Sequence, residues 1–313
     1  MKLVVQIPCL NEEATLPLVL SSIPKKIAGI DEIIVLVIDD GSSDKTVAVA
    51  KAHGVKHFVH HPARRGLGRS FQDGVAKALE LGADIVVNTD GDNQYPQEKI
   101  GDLVQPILDG RADIVVADRQ THTIAHFSPF KKFLQRLGSK VVNMAASTDI
   151  PDAASGFRAY SRESLFKLNL TTSFSYCMEV IIQAGNKGLA ITSIPVTVNA
   201  KTRESRLFNS TGEHVYKSGS AIVRAFIMYR PYIIFLTLGF GLLGAGIVPF
   251  IRYGYFALHH ERGGHLQSLL LGSILLIGSV LSFVLGVIAD LVRVNRIIAE
   301  QDLELAKRIH YGD

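Results

Sequence analysis

Tryptophan is absent from the 313 residues, and cysteine occurs only twice. Two cysteines are too few for the framework of a small disulfide-rich domain. Cys9 and Cys177 both lie in apolar sequence, which favours reduced thiols in a cytosolic domain, although the sequence leaves a disulfide between them open. The first ten residues also lack the apolar core of a signal peptide, because Pro8 interrupts their short apolar run. We therefore expect the chain to begin with folded protein.

The first two thirds of the chain carry no excess of charge of either sign. Residues 1–200 hold 21 Lys and Arg against 21 Asp and Glu, whereas residues 201–313 hold 12 against 8. The net charge of +4 therefore arises in the C-terminal third, which also contains the longest apolar runs. Basic charge beside strongly apolar sequence indicates a membrane surface as the partner and argues against nucleic acid.

Two long stretches contain no charged residue. Residues 231–251 are 21 residues long, about 31 Å as a helix, and a bilayer core is about 30 Å thick. Residues 266–289 add 24 more. A pair of soluble core helices rarely stays free of charge over such lengths, so residues 231–290 are predicted to form a transmembrane hairpin.

The sequence on both sides of this hairpin is more basic than its connecting loop. By the positive-inside rule, the chain is an integral membrane protein whose N-terminal domain and both termini face the cytosol. Residues 214–230 are predicted to form an amphipathic helix in the membrane interface, with an ordinary surface helix as the alternative. Residues 291–313 are predicted to form a cytosolic C-terminal helix or tail.

Apolar strands alternate with helices throughout residues 1–213, which predicts an α/β domain with a mostly parallel sheet covered by helices on both faces. Functional groups of such sheets gather at the carboxyl ends of the strands. The predicted strands are residues 3–7, 33–38, 57–60, 84–87, 113–117, 155–160 and 191–198.

Two carboxylates follow the apolar run at residues 85–87. Asp90 and Asp92 are separated only by Gly91, so both project from a turn at a strand end. Mg²⁺ and Mn²⁺ prefer oxygen ligands, and one or two protein carboxylates often suffice when substrate phosphates complete the shell. The pattern favours a metal-diphosphate site, and the alternative is a solvated turn.

Three histidines fall at the end of a predicted strand. A zinc site at His57, His60 and His61 would need a further ligand nearby, and alternate strand residues point to opposite faces. We expect a solvated strand end.

Five motifs occur in order along the first two hundred residues. They are IPCLNEE at 7–13, DDGSSDKT at 39–46, GLG at 66–68, DGDNQ at 90–94 and SGFR at 155–158. In this order they resemble family-two glycosyltransferases of the GT-A fold, and more narrowly the polyprenyl-phosphate glycosyltransferases, the group of dolichol-phosphate mannose synthase. The resemblance covers residues 1 to about 206 densely and implies a Rossmann-like GT-A domain followed by the two-helix hairpin.

This resemblance implies a nucleotide-sugar donor, with UDP or GDP as the nucleotide, and Mg²⁺ or Mn²⁺ on its diphosphate. Arg65 precedes a helix at a Gly-rich loop and either assists the same phosphates or is a solvated turn residue. The implied metal ligands, which are also the implied catalytic residues, are Asp90, Asp92 and Gln94. The implied nucleotide-sugar-binding residues are Pro8, Leu10, Glu12, Asp39 and Asp40, with Arg65 beside them.

The acceptor implied by the resemblance is a polyprenyl phosphate in the bilayer. Arginines placed at membrane level can hold its phosphate bidentately, or they anchor the domain to anionic headgroups. The group's pattern has an arginine four residues before Ser155, where this chain has Pro151. The expected acceptor-phosphate residues are Ser155, Arg158, Lys201, Arg203 and Arg206, and the candidates to replace the missing arginine are Arg119, Lys131, Lys132 and Arg136.

No residue stands out as a general base. A phosphate monoester has a second pKa of about 6 and is largely dianionic at neutral pH, so its oxygen can attack the anomeric carbon directly. The prediction is therefore a membrane-anchored, inverting glycosyltransferase that moves one sugar from a nucleotide sugar to a polyprenyl phosphate.

Two other functions stay open. A glycosyltransferase acting on another membrane lipid, such as diacylglycerol, would need a carboxylate base, for which Asp149 and Asp152 are the nearby candidates. A non-catalytic sensor of nucleotide sugar is the second, although it would not need metal ligands. Processive family-two synthases carry a Gln-x-x-Arg-Trp motif, which a chain without tryptophan lacks. The sequence does not determine the sugar, the base of the nucleotide or the oligomeric state, and a homo-oligomer stays open.

Overall fold

The computed structural model describes residues 1–121, 129–170, 176–199, 231–259 and 266–312, together with Ser220 and Tyr229. It divides into two compact units. The first contains residues 1–225 and 302–313, and the second contains residues 226–301.

One mixed sheet forms the centre of the first unit. Over the described residues its strands are β1 (Lys2–Cys9), β2 (Glu32–Asp39), β3 (His57–His60), β4 (Ile85–Asn88), β5 (Ile114–Asp118), β6 (Arg158–Ser161) and β7 (Ile191–Pro195). Their spatial order is β3-β2-β1-β4-β6-β5-β7. Neighbouring strands are parallel except that β6 runs antiparallel to β4 and β5. The predicted α/β class with a mostly parallel sheet is confirmed.

The apolar runs that predicted these strands are the buried centre of the sheet. Strand β1 lies between β2 and β4, and its residues 3–7 are fully buried, as expected for a strand covered on both faces. Cys9 pairs with Asp39 on β2, and Gln6 pairs with Asn88 on β4. The loops that leave the carboxyl ends of these three strands are therefore neighbours.

Helices cover the sheet. In chain order they are α1 (Leu16–Ser22), α2 (Thr46–Ala52), α3 (Leu67–Glu80), α4 (Ile100–Leu108), α5 (Pro129–Ala146), α6 (Arg162–Lys167) and α7 (Tyr176–Asn186). Pro17 occupies the first turn of α1, the part of a helix that tolerates proline. Helix α3 packs close to the sheet at Gly74, where an added Cβ would lie 2.6 Å from Oε1 of Gln6.

Over its described residues, the second unit is formed by two apolar helices that are long enough to cross a membrane. They are α8 (Pro231–Leu258) and α9 (Leu266–Tyr311). Helix α9 continues without a break through residue 290, where the predicted hairpin ends, and its residues from 302 onward belong to the first unit.

Glycine and serine let α8 and α9 approach each other. An added Cβ at Gly239 would lie 2.5 Å from the ring of Phe283, and one at Gly246 would lie 3.1 Å from Leu276. The hydroxyl of Ser279 donates to the carbonyl oxygen of Gly239 at 2.8 Å. Small residues and interhelical hydrogen bonds of this kind hold helices together in lipid, where the hydrophobic effect does not.

Candidate active site

Three loops converge at the carboxyl edge of the sheet. The loop after β1 is tied to the loop after β2, because the backbone N–H of Glu12 donates to Oγ1 of Thr46 at 2.8 Å. It is tied to the loop after β4, because Oγ1 of Thr15 donates to the carbonyl oxygen of Gly91 at 2.8 Å. The first, second and fourth motifs of the sequence are therefore parts of one site.

Gly91 allows the two carboxylates to sit on such a short turn. An added Cβ there would lie 3.1 Å from Sγ of Cys9 and 3.3 Å from Cγ of Glu12. A side chain there would crowd Cys9 and Glu12, so packing favours glycine at this position. Asp90 and Asp92 flank it, and both are half-buried.

The carboxylate of Asp92 is oriented by Gln94. The backbone N–H of Gln94 donates to Oδ1 of Asp92 at 3.1 Å, and its side-chain amide donates to Oδ2 at 2.8 Å. Gln94 therefore positions Asp92 in this structure, and its own role as a metal ligand stays a prediction. Asn199 stabilises the same turn. Its backbone N–H donates to the carbonyl oxygen of Gln94 at 2.9 Å, and its side-chain amide donates to the carbonyl oxygen of Asn93 at 3.0 Å. No sequence motif predicts this role of Asn199, because it lies 106 residues from Asn93 along the chain.

Asp90 faces the Ser155-Gly156 turn. An added Cβ at Gly156 would lie 3.5 Å from Oδ2 of Asp90, and the N–H of Gly156 donates to the hydroxyl of Tyr95 at 3.1 Å. Burial, reinforced by the charge of Asp90, raises the pKa of Tyr95 to about 12, so the phenol stays neutral. The fourth and fifth motifs are therefore neighbours at this edge of the sheet.

This donor set fits a hard divalent cation. Two half-buried carboxylates on one turn supply oxygen ligands of the kind that Mg²⁺ and Mn²⁺ prefer. Within the described ranges, no group of three or more His, Cys, Asp and Glu side chains is arranged to hold a metal. A cation at Asp90 and Asp92 would need further oxygens from a bound phosphate.

Asp39 and Asp40 are both buried, but they have different surroundings. Oδ1 of Asp39 accepts the N–H of Ser42 at 3.0 Å, and its Oδ2 lies 2.7 Å from Nδ1 of His60. The carboxylate of Asp40 accepts the backbone N–H groups of Arg65 at 2.8 Å and Gly66 at 2.9 Å. Asp40 thus holds the loop that carries Arg65, whose own side chain is half-exposed.

The other predicted nucleotide residues lie where β1 ends. Pro8 and Leu10 are partly exposed at the carboxyl end of the strand, and Glu12 is buried. Oε2 of Glu12 lies 2.8 Å from the hydroxyl oxygen of Thr15. The structure thus brings the predicted donor residues to one edge of the sheet.

Cys9 lies under the same edge. Burial, with the charges of Glu12 and Asp39 beside it, raises the pKa of its thiol well above the usual value. A protonated, buried thiol is a poor nucleophile, so Cys9 is a packing residue. Cys9 and Cys177 are both free thiols, which answers the disulfide question that the sequence left open.

Ser155 and Arg158, two predicted acceptor residues, are both fully buried. The guanidinium of Arg158 donates to the carbonyl oxygens of Ala153, Ser155 and Cys177, each at 2.8 Å. It therefore holds the backbone of this turn from inside, and a direct contact with an acceptor phosphate is not supported. Oγ of Ser155, in contrast, finds no hydrogen-bond partner among the described residues.

Arg119 is bound to a buried carboxylate. Its Nε and Nη2 donate to Asp152 at 2.6 and 2.9 Å. Burial alone would raise the pKa of Asp152, but the Arg119 guanidinium outweighs that effect and holds the pKa below its usual range. An ionised, paired carboxylate is a weak general base, so Asp152 does not suit the diacylglycerol alternative.

The remaining acceptor candidates are only partly described. Arg136 and Lys140 line an open pocket of about 430 Å³ together with Asp149 and Pro151. Lys131 and Lys132 lie on the same helix, α5, and Lys132 is half-buried. The predicted residues Lys201, Arg203 and Arg206, and most of the predicted interfacial helix at 214–230, lie outside the described residues.

The expectation of a solvated strand end at the histidines is wrong for His61. His60 is 63% exposed on its side chain, but His61 is only 3% exposed and contacts Asp40 and Asp73. Sequence spacing gave no sign of this, because Asp73 lies on the following helix.

The comparisons with known proteins agree with this geometry. The family described as Glycosyl transferase family 2 matches residues 4–168, more than half of the chain. A Mycolicibacterium smegmatis protein, polyprenol monophosphomannose synthase, is 27% identical over 61% of this chain and 75% of its own length. Undecaprenyl-phosphate mannosyltransferase of Micrococcus luteus is 25% identical over 66% and 88%, and dolichyl-phosphate hexose transferase of Haloferax volcanii is 26% identical over 63% and 82%.

Solved structures give the same fold. Glucosyl-3-phosphoglycerate synthase of Mycobacterium tuberculosis, in complex with Mn²⁺, uridine diphosphate and glucosyl-3-phosphoglycerate, matches with a TM-score of 0.53 and 25% identity, over 72% of this chain and 78% of that one. The same enzyme has been solved with Mg²⁺ and uridine diphosphate. The sheet is GT-A-like, as predicted. The extent of the family match shows that this chain belongs to glycosyl transferase family 2.

Proposed function

We propose that the protein transfers one sugar from a nucleotide sugar to the phosphate of a polyprenyl phosphate. The observation that supports this proposal is the proximity of two motifs: a Cβ added at Gly156 in the Ser155-Gly156 turn would lie 3.5 Å from Oδ2 of Asp90 in the Asp90-Gly91-Asp92 turn. One turn supplies carboxylates for a diphosphate-bound cation. The other presents a buried serine hydroxyl that finds no partner among the described side chains.

The donor is assigned to the edge formed by β1, β2 and β4. The predicted nucleotide residues gather there, and the relatives solved with uridine diphosphate and Mn²⁺ or Mg²⁺ support a nucleoside diphosphate as the leaving group. A divalent cation held by Asp90 and Asp92 would stabilise the negative charge that develops on that diphosphate. Gln94 keeps the carboxylate of Asp92 in place. UDP and GDP both remain candidates for the nucleotide.

The acceptor is assigned to the side of Ser155. Its hydroxyl can donate to a phosphate oxygen, and Arg136 and Lys140 line the pocket next to Pro151, where the group's pattern has an arginine. Lys201, Arg203 and Arg206 stay part of this proposal from the sequence. The names of three relatives, polyprenol monophosphomannose synthase, undecaprenyl-phosphate mannosyltransferase and dolichyl-phosphate hexose transferase, support a lipid phosphate as the acceptor class.

The chemistry is a single displacement. An oxygen of the acceptor phosphate attacks the anomeric carbon, the bond from that carbon to the diphosphate breaks, and the configuration inverts. A dianionic phosphate needs no general base. The pairing of Asp152 with Arg119 supports this route over one through a neutral lipid hydroxyl, because Asp152, one of the two candidate bases, is already engaged.

The membrane part of the proposal rests on the second unit. Its two apolar helices are long enough to cross a bilayer, and their outward surfaces carry many large exposed apolar side chains. From the distribution of basic residues, we assign the termini and the catalytic unit to the cytosolic side. Such an anchor would keep the catalytic unit at the bilayer surface, where a polyprenyl phosphate is located.

An acceptor series tests the proposal. The purified full chain is incubated with Mn²⁺, a panel of UDP- and GDP-sugars, and one of three lipids: polyprenyl phosphate, the same polyprenol without phosphate, or diacylglycerol. Mass spectrometry is expected to find a glycosylated lipid only in the samples that contain polyprenyl phosphate. A glycosylated diacylglycerol without a lipid phosphosugar would contradict the proposal and favour the neutral-lipid alternative. Nucleotide binding without any product would favour the sensor.

A further inference from the structure

His61 occupies a buried position between two carboxylates. It is the first residue after β3, and its backbone N–H extends the β2–β3 pairing by donating to the carbonyl oxygen of Asp39 at 2.9 Å. Its Nδ1 lies 2.8 Å from Oδ1 of Asp40, and its Nε2 lies 3.1 Å from Oδ2 of Asp73. Only 3% of the His61 side chain is exposed, and its contact with Asp40 is buried, whereas Asp73 is 22% exposed.

The first of these carboxylates fixes the loop at residues 62–66. Asp40 accepts N–H groups from Arg65 and Gly66 at the end of the loop, while His61 contacts it at the start. Gly66 has a φ of 91°, which a residue with a side chain rarely adopts, and helix α3 begins immediately after it. Asp40 therefore closes the loop at both ends.

The loop also packs directly on the turn after β2. Gly41 has a φ of 81°, and an added Cβ there would lie 2.9 Å from the carbonyl carbon of Ala63 and 3.0 Å from the backbone nitrogen of Arg64. Both the hydrogen bonds and the close backbone approach thus join the 62–66 loop to the turn that carries Asp39 and Asp40.

The second carboxylate connects the loop to helix α3. Asp73 accepts a hydrogen bond from Nε of Arg69 at 2.9 Å and lies 3.8 Å from Nη1 of Arg65. His61 is the one described side chain that contacts both Asp40 and Asp73. It bridges the β2 turn and the helix across the base of the loop.

We propose that His61 is a positioning residue for the nucleotide-sugar diphosphate. By bridging Asp40 and Asp73, it fixes the loop that carries Arg64 and Arg65 beside the donor edge of the sheet. The inference rests on the proposed function, since it assumes that a nucleoside diphosphate binds at that edge. Its effect falls on donor binding and leaves the acceptor side unchanged, because the contacts of His61 all lie on the β2–β3–α3 side of the site.

Binding of UDP and GDP to the full chain with Mn²⁺, measured by titration calorimetry, tests this role. In His61→Phe the ring volume is kept and both polar contacts are lost. His53→Phe is the control, because His53 is an exposed residue that only contacts its own helix through the carbonyl oxygen of Val49. Loss of contacts to charged groups predicts that the affinity of His61→Phe for the diphosphate falls on the order of tenfold, with His53→Phe unchanged. Thermal unfolding identifies which variants are folded.

The kinetics give a second readout. The donor KM is expected to rise about tenfold in His61→Phe, with kcat and the acceptor KM within about twofold of wild type. A residue with only a structural role would lower the melting temperature and leave the affinity of the folded protein unchanged.

The outcomes separate the inference from the proposed function. If the wild type binds neither nucleotide, the proposed function fails and this inference fails with it. If the wild type binds and folded His61→Phe binds equally well, only the inference is overturned. Should His61→Phe not fold, Asp73→Ala decides in the same way: weaker binding supports the bridge, and unchanged binding overturns it.

Discussion

Asp92 is the residue at which the proposed chemistry can be tested most simply. Its two carboxylate oxygens are oriented by Gln94 on a turn that Gly91 fits against β1. Asp92→Asn keeps the shape of the side chain and removes its charge. We expect turnover to fall by at least about a hundredfold, because the diphosphate-bound cation would lose a negatively charged ligand. Asp102→Asn is the matched control, since Asp102 pairs with Lys99 at the surface.

Metal binding gives this prediction a readout besides activity. Titration of Mn²⁺ in the presence of UDP should show binding to wild type and to Asp102→Asn, and strongly weakened binding to Asp92→Asn. If Asp92→Asn bound Mn²⁺ and turned over as well as wild type, the metal would not be held at this turn.

The buried pair of Asp152 and Arg119 predicts a pH-dependent stability. Asp152→Asn leaves the guanidinium without its ionised partner, so the free energy of unfolding at neutral pH should fall by about 3–5 kcal/mol. The pKa of Asp152 is lower in the folded chain than in the unfolded one. The pair therefore stabilises the protein above about pH 4, and its contribution is lost as the pH falls through the folded-state pKa.

Chemical denaturation at several pH values measures this difference. Wild type and Asp152→Asn should differ most at pH 7 and converge below about pH 4. Asp109→Asn, which breaks the exposed pair with Arg111, is expected to leave the free energy of unfolding nearly unchanged at any pH, because solvent screens that pair. A difference for Asp152 that does not change with pH would contradict the ion-pair account.

At the residue scale, the sequence predicted the acidic turn but not its supports. Asp90 and Asp92 were recognisable because two carboxylates around a glycine follow an apolar strand. Arg158 was expected to face a phosphate, yet it is buried against three backbone carbonyls. The bridge at His61 was missed as well. Such contacts join distant segments, and no spacing along the chain reveals them.

At the scale of elements, the alternation of strands and helices was enough to predict the sheet. It could not give the direction of β6, because a four-residue strand reads the same in a parallel or antiparallel position. Strand β6 runs antiparallel between β4 and β5, which brings the preceding Ser155-Gly156 turn beside the carboxyl end of β4. The proximity of the Ser155-Gly156 turn to the Asp90-Gly91-Asp92 turn, which supports the proposed function, therefore depends on the direction of β6, and the sequence pattern does not reveal that direction.

The glycines of α8 predict a position-dependent effect of substitution. A Cβ at Gly239 would clash with Phe283, whereas one at Gly241 meets open space. Gly239→Val should destabilise the packing of α8 on α9 by about 1–3 kcal/mol, as overpacking does elsewhere. Gly241→Val is the control on the same helix. Thermal unfolding in detergent, with disulfide trapping between cysteines introduced on the two helices, measures the effect; equal behaviour of the two variants would contradict this packing.

The last turns of α9 predict a stabilising contact within the first unit. Nζ of Lys307 donates to the carbonyl oxygen of Leu168 at 2.7 Å and to Oδ1 of Asn169 at 2.8 Å, just beyond the end of α6. Arg308 pairs with Glu163 on α6, and hydrogen bonding to Arg308 lowers the pKa of that carboxyl.

Lys307→Ala should therefore lower the free energy of unfolding of the first unit by about 1–3 kcal/mol, because it leaves carbonyl groups beyond the end of α6 without their donor. Lys25→Ala, at an exposed position before β2, is the control. The measurement is the unfolding transition followed by circular dichroism, and identical transitions for Lys307→Ala and wild type would show that this contact adds no stability.

At the scale of the whole molecule, the chain combines a family-two glycosyltransferase unit with two apolar helices that can cross a membrane. Composition predicted this division, because the apolar runs and the net charge both fall in the C-terminal third. The sugar and the nucleotide depend on a few pocket contacts that neither a strand pattern nor a motif specifies. The assignment of both termini to the cytosolic side of the membrane is a proposal. Labelling of cysteines introduced near each terminus in intact vesicles would test it.

We propose that the Asp90-Gly91-Asp92 turn and the Ser155-Gly156 turn together bring a nucleotide-sugar donor to a lipid phosphate. The most direct measurement is the mass of the lipid recovered after the purified protein acts on polyprenyl phosphate with Mn²⁺ and UDP- or GDP-sugars. We expect a gain of one hexose-type unit on the lipid phosphate, abolished by EDTA and by Asp92→Asn. Unmodified polyprenyl phosphate with every donor, or an equal yield of product in the presence of EDTA, would contradict it.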